Sequence, residues 1–458
     1  MRPPDKNNSS HMSIIYSNLN HPLRVPLAAE VHSRPPLPLT ASESLTHFAV
    51  YARGAAQPAA DNGDSQHRLL CMLCAHFGVT GPGREAKYFF HDFGRFRMKW
   101  ECHTEFATYT FAQSHAQPLS VSAAFEQVPL SHLPQQWLQA LHGMVMVAAH
   151  LVLDQHAAPI DVPDRELLKV FEGNALVAGK MAQGGQIWTD FRIHADGFNR
   201  FVVRDVGPYE QQAARLVQRI LEVETYRMMA LLGLPLAQQS APILNAIEGE
   251  LAQLTATMVD ADQSIAGAPE SADDEQGLLR MITGLAARIE KLSLDSSYRF
   301  SASQAYFRLV RARIEELYEI RIEGVPTIGE FMDRRLAPAM NTCEAIARRQ
   351  KALAERIAHT NDLLRTRVGI VQEQQNRRIL QSLNTRAAQQ LRLQQAVEGL
   401  SVVAISYYLA GLCNYAGKAM KAGGWPINPD IATGFMVPLL AIGVWLGLRR
   451  MRKHIQIA

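Results

Sequence analysis

The sequence predicts an α+β protein with a membrane-embedded end. It should have an N-terminal mixed α/β cytoplasmic domain, a helical region with a long coiled-coil-like stalk, and a C-terminal two-helix transmembrane hairpin. Three observations carry this expectation. Short β-branched and aromatic runs crowd residues 45–206, helical periodicity almost free of glycine and proline fills 336–398, and two uncharged apolar segments stand near the chain end. At 458 residues the chain exceeds the size at which one core stops growing, so two or more structural units are expected. Hydrophobic residues at 47% and charged residues at 19% exclude a disordered chain. With 46 basic against 43 acidic residues, bulk charge gives no support to a nucleic-acid partner. Mean hydropathy of -0.09 reads as soluble, but it averages over a strongly apolar C-terminus.

Residues 1–20 contain no apolar core of a signal peptide, so they are expected to be a disordered leader. Residues 21–207 form the α/β domain. Its expected strands are Thr46–Tyr51, Arg95–Cys102, Glu105–Phe111, Gly143–Val152, Ile187–His194 and Phe198–Arg204, each bounded by turn residues. Helical patterns at Gln66–Phe77 and Leu133–Leu141 interrupt them, which favours a mixed sheet. Residues 208–335 read as a helical region, with helices at Tyr209–Leu232 and Ala302–Ile322 and a mobile loop over Asp260–Glu275. Five cysteines without framework spacing point to a reducing compartment. Cys71 and Cys74 lie inside an apolar helical run, where core packing explains them better than redox chemistry.

The stalk, residues 336–398, has Gly369 as its lone glycine and no proline after Pro338. Leu353, Ile357, Leu364, Val368 and Val371 fall three, four or seven apart, and Asn361 occupies a seam position among them. A polar seam residue costs stability but can fix register and subunit number. One narrow apolar stripe needs a partner, and self-association into a homo-oligomer is the economical answer.

The membrane region covers residues 399–448. Leu400–Gly417 and Ile431–Leu448 are each 18 residues without a charge, or roughly 27 Å of helix, enough for the hydrocarbon core. Gly423, Gly424, Pro426 and Pro429 break the chain between them, and Trp425 suits an interface. Arg449, Arg450, Arg452 and Lys453 form a basic tail over 449–458, and Arg377, Arg378, Arg386 and Arg392 precede the first span. The positive-inside rule then makes both the N-terminal region and the tail cytoplasmic, with the lipid bilayer as a partner. In the first span, Tyr408, Gly411, Asn414 and Tyr415 make a polar, small-residue stripe. Tight helix packing and pore lining are both open readings of it.

Glu101, His103 and Glu105 would alternate along one strand and so share a face. Carboxylate and imidazole at that spacing can hold a divalent cation or do acid–base work, but a hydrogen-bonded polar cluster or a solvated face is the preferred explanation. Arg334 and Arg335 read as solvated. No phosphate-cradling glycine loop and no nucleophile elbow occurs in the sequence.

Several strings resemble an uncharacterised bacterial family of membrane-anchored proteins, domain-of-unknown-function family 3422. They are HPLR at His21–Arg24, HSRP at His32–Pro35, KWECHTEFATYTF at Lys99–Phe111, TDFRIHADGFNRF at Thr189–Phe201, VETYRMMALLGLP at Val223–Pro235 and VEGLSVVAISYYLAGL at Val397–Leu412. The resemblance implies a multi-pass protein of the bacterial inner membrane and no particular activity. The order of parts is also similar to the CorA-type magnesium channels, which are pentamers whose first span lines the pore and ends in a Gly-Met-Asn motif. Here the corresponding stretch reads Leu412-Cys413-Asn414-Tyr415, with the asparagine but without the motif. Three functions follow in order. The first is a membrane-anchored oligomeric scaffold or regulatory protein whose α/β domain binds a partner or small ligand. A divalent-cation channel of CorA-like type is second, and a metal-dependent enzyme using Glu101, His103 and Glu105 is third.

Overall fold

Along a strand, successive side chains point to opposite faces, so a strand that is apolar on one side and polar on the other announces what covers each side. A computed structural model describes residues 21–24, 27–28, 35–39, 42–51, 60–117, 119–154, 159–204, 210–264, 272–424 and 428–455. The expected leader and Trp425 lie outside them. Among the described residues the strands are β1 (Glu43–Tyr51), β2 (Tyr88–Asp92), β3 (Arg97–Cys102), β4 (Phe106–Ser114), β5 (Val145–Asp154), β6 (Val177–Met181), β7 (Gln186–Thr189), β8 (Asn199–Arg204) and β9 (Glu319–Arg321). They make one sheet in the order β2-β3-β4-β1-β5-β8-β7-β6-β9. Neighbours are antiparallel except β5 and β8, which run parallel. The expected mixed sheet is present.

The helices are α1 (Ala60–His76), α2 (Val121–Glu126), α3 (Gln135–Ala140), α4 (Arg165–Val170), α5 (Glu210–Leu231), α6 (Gly233–Ser264), α7 (Ala272–Glu315), α8 (Ile328–Arg335), α9 (Ala337–Ala422) and α10 (Pro429–Ile455). On one face of β1, β3 and β4, Phe48, Val50, Met98, Trp100, Tyr109 and Phe111 pack against Leu70, Leu73 and Cys74 of α1 and Trp137 of α3. The Trp137 indole N–H donates to the Leu69 carbonyl at 3.0 Å, and the Tyr109 hydroxyl to that of Gln66 at 3.2 Å. These two rings thus satisfy their polar atoms inside the core. A second cluster joins Trp188 and Val202 to Leu167 and Phe171.

The chain divides into two compact units, Met1–Thr257 with Gly284–Ala358, and Met258–Thr283 with His359–Ala458. In the first, α6, α7 and α9 approach closely at Gly233. A Cβ there would lie 2.6 Å from Ser303 Oγ and 3.3 Å from Cys343 Sγ. Arg349 of α9 pairs with Glu248 of α6, and the Ser296 hydroxyl of α7 meets Gln350 of α9 at 3.2 Å. In the second unit, Arg367 of α9 donates to Glu275 at 2.8 Å.

Two expectations change here. The stalk stripe is covered by its own chain: Leu353 and Ile357 are 1% exposed and Leu364 0%. These three need no second copy, while Asn361, Val368 and Val371 are half-buried. The sequence carries the spacing of a helix seam but not the identity of the surface that fills it. The strand expected over Ile187–His194 stops at Thr189, because Phe191 takes a left-handed φ of 52° and Asp190 turns to accept from the Arg192 N–H at 3.1 Å. The strand β9 likewise replaces the end of the helix expected over Ala302–Ile322.

The helical run Ile328–Ala422 contains an 18-residue window of mean hydropathy 1.5 with 6% of it buried, long and apolar enough to cross a membrane. The second apolar stretch, Thr433–Gly447, is shorter. A C-terminal helix fit to span is therefore observed.

Candidate functional site: a polar cavity under helix α5

The face of the sheet opposite the apolar core is polar over three strands. Register places His47 beside Thr110 and Thr110 beside Lys99, and in the next row Thr108 lies beside Glu101. All five side chains belong to buried residues. Such a face under a helix either satisfies its polar groups internally or holds something that does. Helix α5 covers it, and between them lies a cavity of about 220 Å³ lined by those strand residues and by Gln218, Glu222, Thr225 and Tyr226 of α5 and Arg313 of α7.

His47 is gripped at both ring nitrogens, Nδ1 at 2.8 Å from Thr110 Oγ1 and Nε2 at 3.1 Å from Thr225 Oγ1. Hydroxyls can donate to one nitrogen and accept from the other, so the neutral imidazole is fully satisfied. Burial, reinforced by the charges of Lys99 and His103, pushes its pKa down to about 3. The Lys99 ammonium lies 3.0 Å from Glu101 Oε2. On the helical wall the Arg313 guanidinium is bonded to Glu222 and donates to Glu316 at 2.7 Å, and Gln218 donates to Glu222 at 2.7 Å. Burial and then the Glu105 charge push the Tyr306 hydroxyl up. The cavity thus offers paired charges, hydroxyls and a neutral imidazole, with Leu37, Leu39, Leu45, Val217 and Leu221 supplying apolar wall.

The expected metal triplet does not assemble. β3 ends at Cys102 and β4 begins at Phe106, so His103 and Glu105 lie in the hairpin turn rather than alternating with Glu101 along one strand. Glu101 is held by Lys99. Glu105 is gripped in two-pronged fashion by Arg299 of α7, at 2.8 and 3.0 Å, and His103 stacks on Phe106 with centroids 4.4 Å apart. Among the described residues no group of three or more His, Cys, Asp or Glu side chains could hold a metal ion. The turn, invisible to simple alternation, redirects both side chains. Sequence reasoning missed His47, Lys99, Thr108, Thr110, Thr225 and Arg313. The available signal was Lys99/Glu101 alternating with Met98/Trp100, and Thr108/Thr110 alternating with Tyr109/Phe111.

Beside β7 and β8, His194 lies 3.2 Å from Glu172 and 3.1 Å from Asp190, and Asn174 donates to Asp190 at 2.9 Å. Both ring nitrogens face carboxylates, an arrangement that fixes the turn. Cys74 is buried and its thiol pushed up to about 11 by that burial, which makes it a poor nucleophile. In the apolar end of α9, Tyr408 and Tyr415 are exposed, and Gly411 and Asn414 half-buried.

Fold and cavity together define a mixed-sheet α+β protein with a small polar pocket under a covering helix and an apolar C-terminal helix. The chain belongs to the family described as "Protein of unknown function (DUF3422)", whose profile its residues 19–455 match. No curated protein matches it. Among solved structures it is similar to the "structure of the full-length CmaX protein", at 12% identity, over 67% of this chain and 89% of that one, with a TM-score of 0.13. A likeness so slight carries no argument about fold or function.

Proposed function

We propose that the protein is a membrane-anchored, self-associating regulatory or scaffold protein of the bacterial inner membrane, with its N-terminal region and basic tail cytoplasmic and spans near 400–417 and 431–448. One observation carries the reading. Every residue of α9 from 372 to 397 is exposed, and this bare stretch runs without a break into the apolar window. It includes Leu380, Leu383 and Leu391, of which the last two are each 54% exposed. Helices in proteins owe most of their stability to packing of an apolar face, and among the described residues nothing packs here.

A second copy is the occupant the chemistry favours. Two copies anchored in one bilayer enter it in the same direction, so the same residues meet, and tethering raises their effective concentration. Leu380, Leu383, Ala387 and Leu391 are spaced three, four and four apart, the step of an eleven-residue helical repeat. The oligomer seam expected at Leu353–Val371 thereby moves toward the membrane. A CorA-like channel would need such an oligomer too, but no further observation favours it.

Light scattering in detergent tests the proposal. Wild-type protein is expected to run as an oligomer and the Leu383→Asp/Leu391→Asp double variant as a monomer. Leu353→Ala, a buried control, should lower stability by about 2–5 kcal/mol and leave the oligomeric mass unchanged. A monomeric wild type would overturn the reading.

A further inference from the structure

The cavity under α5 has a composition that selects among ligands. At about 220 Å³ it falls below the roughly 300–1,000 Å³ of drug-sized sites, so it has room only for a small molecule. Its charged walls are two cations and two anions, Lys99 with Glu101 on the sheet and Arg313 with Glu222 on the helices. The two lining pairs cancel, His47 between its two hydroxyls adds no charge, and His103, which also lines the cavity, is stacked on Phe106 in the turn between β3 and β4. A ligand of single charge would enter a buried site with nothing left to compensate it, which is costly. A ligand carrying both signs meets no such cost. Its ammonium can use spare lone pairs on Glu101 or Glu222, and its carboxylate can use the remaining N–H donors of Lys99.

The sheet register also grades the cavity from polar to apolar. The Glu101–Thr108 row comes first, then Lys99–Thr110–His47, then Arg97–Ala112–Leu45, in which Arg97 pairs with Glu43 and only Leu45 lines the cavity. Leu37, Leu39 and Leu45 therefore supply apolar wall beyond the polar rows. We propose that this cavity binds a small amphipathic zwitterion, an amino acid with a short apolar side chain or a molecule of that type, its charged head over the Lys99 and Glu101 rows and its apolar tail toward Leu45. This inference takes the α+β domain as the input end of the regulatory protein proposed above and is independent of how copies associate.

The full chain in detergent is titrated calorimetrically with three probes: L-leucine, 4-methylpentanoate, which lacks the ammonium, and 3-methylbutylamine, which lacks the carboxylate. L-leucine should bind at least tenfold more tightly than either analogue. Thr108→Val, which removes a cavity hydroxyl while keeping the shape, should weaken L-leucine about tenfold. Val217→Trp, which adds bulk to the apolar wall, should abolish binding. Equal binding of either singly charged analogue, no binding of L-leucine to wild type, or L-leucine binding untouched by both variants would each overturn the proposal. Mass measured on the same preparation reports self-association separately, so failure of one reading is distinguishable from failure of the other.

Discussion

His47 and His150 sit on neighbouring strands with opposite faces, since His47 pairs with Ala149 and Thr46 with His150. His150 Nδ1 lies 3.1 Å from Thr46 Oγ1, and its ring stacks on Phe198 at 3.9 Å. Burial lowers the His150 pKa to about 4, Arg200 also lowering it while Asp196 opposes, and lowers His47 to about 3. Unfolding returns both to about 6.5, so between these values the unfolded chain binds more protons than the folded one. Stability is therefore full above pH 6.5 and is lost as pH falls toward 4, by on the order of 3 kcal/mol from His150 alone. Thermal midpoints recorded from pH 7.5 to 4 should fall below pH 6.5, and His150→Asn should flatten that slope. An unchanged slope in the variant would mean that other groups govern acid sensitivity. These histidines were not legible in the sequence, because the distinction between a solvated and a buried histidine lies in what covers the strand. Glu101, His103 and Glu105 were legible as a polar cluster, yet their partners Lys99 and Arg299 were not, Arg299 being 194 positions from Glu105.

Among the elements, the junction at Gly233 fixes how α6, α7 and α9 meet. Ser303 and Cys343 crowd the space a side chain would occupy. Gly233→Ala should cost about 1–3 kcal/mol through overpacking, and Ser303→Gly in the same chain should recover part of it, as measured by chemical unfolding. A Gly233→Ala variant as stable as wild type would show that the junction relaxes freely. Element existence was largely legible: β1, β3, β4, β5 and β8 fall within a few residues of the expected runs, because each alternates or concentrates β-branched and aromatic residues. β2, β6 and β9 were missed; they run only five, five and three residues, too short for a period to show. The helical period of α9 was legible, but the partner of its stripe was not, since one apolar face reads the same whether its own chain or another copy covers it.

For the molecule as a whole, the apolar C-terminal end of α9 and the shorter run in α10 gather the most apolar helix of the described residues into the last sixty or so residues. A chain truncated after Arg392 should partition to the soluble fraction at high salt, whereas the full chain should sediment with membranes. A truncated chain that still sediments would reveal a further anchor. The α+β class, with an N-terminal sheet and a long C-terminal helix, was legible at this scale because composition shifts abruptly along the chain, whereas one helix rather than the expected pair is long and apolar enough to span among the described residues. The cavity was not, because it is made jointly by three strands and two helices drawn from positions 37 to 313.

The 86 residues of α9 form one helix without an interior break after Pro338, and an unbroken helix keeps count. Each added residue turns everything beyond it by about 100°. A single insertion near position 375 would swing the bare leucines and the apolar window away from the packed stripe by more than a quarter turn. An insertion of seven or eleven would return them to within about 20°. Length changes in this part of the chain are therefore quantised: natural variants should gain or lose residues there in steps near whole turns, while the loops of the sheet remain free to vary one residue at a time.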